Sequence, residues 1–90
     1  VSHPPPSIKS DKADQAIPAI KTQVAAGDKS AIPYLVHDLV SEDSAVRMYA
    51  IDGLRRLTGQ DLGYLYYAEP DARKPAVDRW NKWLAQQQGH

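Results

Sequence analysis

Cysteine is missing from this sequence. Disulfides, thiolate chemistry and cysteine-ligated zinc are excluded with it, and the redox compartment is left undetermined. An excess of charge is missing too. Eleven basic side chains balance eleven acidic ones, and the balance is local: four against four up to Val40, three against four from Ser41 to Ala68, four against three thereafter. Without a block of one sign, nothing steers nucleic acid or an anionic surface toward the chain, and no nucleic-acid role is expected. No apolar run approaches the roughly 20 residues that span a bilayer, so no membrane insertion is expected. A signal-like hydrophobic segment is also absent, and the sequence opens on Val1. A processed chain or a piece of a larger protein is expected, with its compartment open.

The raw material for catalysis is equally thin. Of three histidines, His3 lies in a proline-rich stretch, His90 is the last residue, and His37 falls on the polar side of a helical pattern. A catalytic triad or a histidine metal site needs convergent groups. His37 and Asp38 would make an acid–base pair only beside a cleft, and a solvated helix face is the simpler reading. "LTGQDLG" has two glycines around an acidic pair, but not the spacing of a phosphate or dinucleotide loop. Asp28 stands without the alternating oxygen ligands of a calcium loop. No catalytic residue, no cofactor and no metal are expected, and the chain is not expected to be an enzyme.

What is present is helical periodicity. At 90 residues and 42% hydrophobic, the chain suffices for one domain, near the size where a single core is only just large enough. "VSHPPPSIKSDK" reads as an extended tail and "QQQGH" as a fraying end. Four apolar patterns lie between them. The first, from about residue 16 to 26, places Ala16, Ile17, Ile20 and Val24 on one face, with Gly27 to stop it. The second, about 31 to 40, places Ile32, Leu35, Val36, Leu39 and Val40 at i, i+3, i+4, i+7 and i+8. The third runs from about Ser44 to Thr58 with Gly59 as its stop, and the fourth from about Ala72 to Gln87. With Ser30 as an N-cap, Pro33 falls in a first turn, where its missing N–H costs nothing. Pro18, after a cap at Gln15 or Asp14, and Pro75 are expected to sit in first turns as well. "AIPAI" at Ala16 recurs as "AIPYL" at Ala31, a cue to look for repeats.

The third pattern contains an oddity. In helical projection Val46, Tyr49, Ala50, Ile51, Gly53, Leu54 and Leu57 fill an arc of roughly 200 degrees, wide enough to require cover on two sides. Gly53 inside it suggests close backbone approach by a neighbour. Arg47 lies within the same arc, in the first turn, where a cation opposes the helix dipole. Burial of a guanidinium requires partners. The candidates are a carboxylate (Asp43, Asp38 or Asp52) or carbonyls at a neighbouring helix end. The functional alternative is a binding arginine in a groove.

The stretch "AIPYLVHDLVSEDSAVRMYAIDGLRRL" resembles a HEAT repeat over its full helix–turn–helix length, and the phycobilisome-lyase-like HEAT repeats are similar to it as well. Pro33, Asp43, Val46, Arg47, Ala50, Leu54 and Leu57 match the family's proline, aspartate, valine, arginine, alanine and two leucines in order. The resemblance implies that Asp43 and Arg47 order the turn and tie adjacent repeats together. It implies an all-α fold, an antiparallel helical hairpin stack of about four helices. After Gly59 the pattern departs from the family. Residues 60–87 hold Tyr64, Tyr66, Tyr67, Trp80 and Trp83, five of the seven aromatics, and are expected to form an aromatic C-terminal cap.

The resulting layout is a Pro-rich tail over 1–14, a HEAT-like helical domain over 15–87 with its best repeat at 31–57 and its cap at 60–87, and a flexible terminus over 88–90. Solenoid surfaces bind extended partners. A non-catalytic protein-interaction or scaffold module is therefore expected, with an unidentified protein partner and contacts sought at Trp83, Tyr66 and Tyr67. The competing expectation is a regulatory or substrate-contacting domain attached to an enzyme.

Overall fold

The helix at the centre of the fold begins and ends where its side-chain chemistry dictates. The Asp43 carboxylate accepts the main-chain N–H of Ala45 at 2.8 Å and of Val46 at 3.3 Å, filling two of the donors that a helix start leaves open. At the other end Gly59 takes a left-handed conformation, φ 79°, and gives its N–H to Arg55. In the computed structural model, which describes residues 7–10 and 12–88, this helix is the third of four. We denote them α1 (Ala13–Ala25), α2 (Ile32–Asp38), α3 (Ser44–Thr58) and α4 (Pro70–Gln88). A 3₁₀ turn over Lys29–Ala31 leads into α2, and the described residues contain no strand. The fold is all-α.

α3 packs against α1 on one side and α2 on the other, and α2 also meets α4. The wide apolar arc of α3 thus has its two covers. Val46, Ala50, Ile51 and Leu54 are buried there, with Ile20 of α1, Leu35 of α2 and Trp80 of α4 in the same interior. Gly53 is where α1 and α2 both come closest. A Cβ at this position would lie 2.8 Å from Val24 Cγ2 and 3.1 Å from Leu35 Cδ1. The helix accepts glycine's cost of about 1 kcal/mol because the junction has no room for a methyl group.

α1 ends in a Schellman motif: Gly27 (φ 68°) donates to Val24, and Asp28 donates to Gln23. That arrangement satisfies two otherwise open carbonyls of the last turn.

Several boundaries differ from the sequence reading, each for a local reason. α1 begins at Ala13, after Lys12, not at Gln15 or Asp14, so Pro18 is its sixth residue and not a first-turn proline. Pro75 is likewise sixth in α4, which starts on Pro70. Both prolines are exposed, so water reaches the carbonyls of Asp14 and Asp71 that each leaves without a helical donor. Ser30 is not a cap. Asp28 caps the 3₁₀ turn by accepting the Ser30 N–H at 3.0 Å, and the Ser30 hydroxyl donates to the same carboxylate oxygen at 2.6 Å. These two bonds hold the Asp28 carboxyl below its usual pKa. Pro33 keeps its place in the first turn of α2.

α2 is shorter than its apolar stripe. After Asp38 the chain tightens, with Leu39, Val40 and Ser41 each donating to the residue three before it. The tighter winding rotates Val40 off the buried face, and it is 56% exposed, not core. The stretch read as a tail is partly fold. Ile8 is 7% exposed within the core, the Ser7 N–H donates to Gln15, and the Lys9 ammonium sits 5.7 Å from the Tyr34 ring centroid. His3, the prolines at 4–6 and His90 lie outside the described residues. Of the expected flexible terminus over 88–90, Gln88 is the last residue of α4, and residues 89–90 lie outside the described residues.

Candidate interaction surface

The last carbonyls of a helix have no donors of their own. At the end of α2 the last three are met by main-chain N–H groups of the tightened turn. The carbonyls just beyond, of Leu39 and Ser41, are met by side chains from three other parts of the chain. Arg47 Nη1 donates to the Ser41 carbonyl at 2.7 Å, and Arg47 Nε donates to the Tyr66 carbonyl at 2.9 Å. The guanidinium, 9% exposed, therefore bridges the α2–α3 turn and the segment between α3 and α4. Both of these hydrogen bonds run to main-chain oxygens. Asp43 is occupied as the cap of α3, and Asp52 pairs with Arg56 at 2.9 Å. Asp43 and Arg47 thus both act on the α2–α3 turn, one on each side of it.

The Leu39 carbonyl is served by two donors, the Tyr64 hydroxyl at 2.6 Å and Arg73 Nη1 at 3.5 Å. Tyr64 is buried, and desolvation raises its pKa above the usual phenol value, with Arg73 and Arg47 pulling weakly the other way. The phenol stays neutral and keeps its proton for Leu39.

The same device holds residues 60–69, which have no helix of their own. The Asp61 carbonyl receives Trp80 Nε1 at 2.8 Å, that of Leu62 receives Arg79 Nε at 2.8 Å, and that of Ala68 receives Arg73 Nε at 2.8 Å. The segment opens with a tight turn in which Leu62 (φ 55°) and Gly63 (φ 80°) are both left-handed. Tyr64 N–H closes it onto the Asp61 carbonyl at 3.1 Å. A leucine in that conformation costs about 1–2 kcal/mol, and its side chain is partly buried against the core in return. The Asp61 carboxylate accepts the Gly63 N–H at 2.9 Å, the main cause of its lowered pKa.

Three large apolar side chains near these bonds are left exposed, Val40 lining one cleft and Leu65 and Tyr67 another. Val40 lies between Leu39 and Ser41, and Leu65 and Tyr67 flank Tyr66. The inward groups of those neighbours meet at Arg47, Tyr64 and Arg73. Val40 is 56%, Leu65 48% and Tyr67 68% exposed, the large apolar side chains most open to water among the described residues. Beside Leu65 and Tyr67 is a cleft of about 390 Å³ whose walls include Met48, Tyr49 and Tyr66. Tyr66 and Tyr67 stack edge to face, centroids 5.3 Å apart.

Of the three residues singled out in the sequence for partner contact, Tyr66 and Tyr67 are thus together. Trp83 is elsewhere. It is half-buried on α4, edge-on to Trp80 at 5.4 Å, in a second groove with Ile32, Pro33, Leu57 and Leu84. Trp80 is fully buried. Of the residues matching the repeat pattern, Val46, Ala50 and Leu54 are core, while Pro33 and Leu57 line the Trp83 groove. Val40 and Leu65 were missed as surface residues. Val40 looked like the last member of a buried stripe, and nothing in "GYLYYAE" marks which of its side chains turns inward.

His37 is exposed on α2. Among the described residues no three His, Asp or Glu side chains converge as metal ligands would, and no helix is long and apolar enough to cross a membrane. No family model, no curated protein and no solved structure matches the chain.

Proposed function

We infer that this protein is a protein-interaction or scaffold module built on a HEAT-like helical hairpin, α2–α3, with the aromatic residues after Gly59 closing one end as a cap. The observation that carries the reading is that Leu65 and Tyr67, both exposed, sit together beside a cleft lined by Met48, Tyr49 and Tyr66, on a segment pinned by Arg47 and Arg73. Exposed apolar side chains scattered singly need no explanation, but several together on one face mark an interaction site. Tyrosine is also favoured at such sites, because a large apolar body carries a polar tip at low entropic cost. The hairpin resemblance supports the same reading, since its matched arginine holds the Tyr66 main chain between Leu65 and Tyr67.

Site-specific photo-crosslinking tests it. A benzophenone amino acid at position 65 is expected to give discrete adducts in extracts of expressing cells, lost when Tyr67→Asp is introduced. The same probe at exposed Lys82 on α4 should not give those adducts. Identical adducts from both positions, or none from position 65, would end the interaction-module reading.

A further inference from the structure

The Trp83 groove shares no lining residue with the cleft beside Leu65 and Tyr67. Its apolar walls come from the ends of three helices: Ile32 and Pro33 at the start of α2, Leu57 in the last turn of α3, and Trp83 and Leu84 near the end of α4. Its volume is about 410 Å³, within the range of small-molecule sites. Neutral polar groups are few. The Thr58 hydroxyl already donates to the Leu54 carbonyl at 2.6 Å, which leaves the Gln87 amide and the Trp83 indole N–H. Of the lining residues Lys29 alone is charged. It is exposed and makes no ion pair among the described residues. The neighbouring Asp28 carboxylate is turned to the Ser30 N–H and hydroxyl. The groove is thus hydrocarbon with a single cation and no acid.

We propose that this groove binds a small amphiphilic carboxylic acid, with its hydrocarbon body along Trp83, Leu57 and Leu84 and its carboxylate at Lys29. Charge decides the head group. An ammonium would meet Lys29 and no acid, and like charges in contact disfavour the pairing. The scarcity of polar groups decides the class of ligand. A polypeptide segment brings a main-chain N–H and C=O at nearly every residue, each needing a partner when covered, and the groove has too few to serve them. A hydrocarbon chain needs none, and its carboxylate stays in water beside the exposed ammonium. Such an exposed pair adds only modest affinity. Burial of hydrocarbon therefore carries most of the binding, and Lys29 sets the preference among head groups. The site is separate from the interaction surface inferred above, and either can fail without the other.

Octanoate, octanol and octylammonium share one chain and differ in head-group charge. Titrating each into the whole protein and following tryptophan fluorescence tests the proposal, because Trp80 is fully buried while Trp83 lines the groove. Octanoate is expected to bind saturably with a dissociation constant on the order of 1 mM. That constant should lie about threefold below the value for octanol and about tenfold below that for octylammonium. Raising salt from about 50 to about 300 mM should narrow the spread. Lys29→Gln, at an exposed position, should bring octanoate to within about twofold of octanol. Gln87→Glu, also exposed, should weaken octanoate about threefold and strengthen octylammonium by a similar factor. Both variants should keep the wild-type thermal midpoint, and Trp83→Phe should remove most of the fluorescence response. The proposal is overturned by the absence of saturable octanoate binding, by equal affinity for all three compounds, or by a preference that survives Lys29→Gln. A response undiminished in Trp83→Phe would also overturn it, since the ligand would then sit elsewhere. An acetylated trileucine with a free carboxylate that binds tenfold more tightly than octanoate would assign the groove to a polypeptide C-terminus, against the proposal.

Discussion

Residues 32–58 and residues 60–69 lie against each other, yet they are ordered in different ways. The first stretch is a helix hairpin whose apolar side chains recur at helical spacing, with Asp43 and Gly59 marking the ends of its longer arm. The second has no period. Its order comes from donors elsewhere in the chain that reach its carbonyls: Arg47 to Tyr66, Arg73 to Ala68, Arg79 to Leu62 and Trp80 to Asp61. A segment without a helix or a sheet must still satisfy its buried polar groups, and here arginine and tryptophan do it. The contrast teaches that a short aperiodic segment can be as fixed as a helix when its acceptors face long, charged donors, because hydrogen bonds from charged groups are stronger than neutral ones.

The comparison breaks first at Trp80, which belongs to both regions. It fills the core and donates to Asp61. Trp80→Ala should cost about 3–5 kcal/mol. Small domains have stabilities starting near 5 kcal/mol, so the variant is expected to be largely unfolded by circular dichroism at 25 °C. A variant with near-native urea resistance would remove Trp80 from the centre of the account. Replacing the half-buried Trp83 by alanine should cost clearly less, by the same urea titration.

Arg47 comes next. Arg47→Ala leaves the Ser41 and Tyr66 carbonyls without this donor and should destabilise by about 1–3 kcal/mol. Arg47→Lys keeps the charge but not the two-pronged geometry, and should recover only part of the loss. Full recovery by lysine would mean that charge alone suffices and that the bridge between the two regions is incidental.

How much of this was legible beforehand follows from the same contrast. α3 could be bounded at Ser44 and Thr58 because a capping aspartate, a long apolar period and a terminal glycine agree with one another. Its two-sided burial followed from the width of the apolar arc, and a tight place from the glycine inside it, although side chains of Val24 and Leu35 fill that place and not a neighbouring backbone. The start of α1 was less legible, because Lys12 offers no side-chain cap, and the prolines at 18 and 75 tolerate positions beyond the first turn where their face meets water. Val40 misled because periodicity says nothing about where winding tightens. The partners of Arg47 could be narrowed to carboxylates or carbonyls, but choosing between them required knowing that residues 64–68 fold back over the end of α2. No local pattern in that segment encodes this, since its order is set by residues 5 to 25 positions away.

Gly53→Ala sharpens the helical side of the comparison. Alanine should gain about 1 kcal/mol in helix propensity, but crowding against Val24 and Leu35 should cost about 1–3 kcal/mol. The expected net loss is about 1 kcal/mol, read from the urea midpoint at constant slope. A stabilised variant would show that the α1–α3 contact yields easily.

The smallest effect is expected at Tyr64. Tyr64→Phe removes the donor to Leu39 but leaves Arg73 on the same carbonyl, so a loss of about 0.5–1.5 kcal/mol is expected. Because the folded pKa of Tyr64 is raised, its contribution is complete below the unfolded value near 10 and is lost as pH rises through the folded value. Ultraviolet titration should therefore show a tyrosine step above the usual phenol value, and that step should vanish in Tyr64→Phe.

The central claim is that Arg47 pins the 60–69 segment onto the hairpin. Amide hydrogen exchange in wild type and Arg47→Lys tests it most directly, by following Tyr64 and Ala68 N–H, which close turns within the segment, alongside amides in the middle of α3. The account predicts that Arg47→Lys speeds exchange at Tyr64 and Ala68 by roughly tenfold, equivalent to about 1.4 kcal/mol of local opening, while α3 slows the exchange of its own amides nearly as before. Unchanged exchange at Tyr64 and Ala68, or an equal acceleration throughout α3, would contradict it.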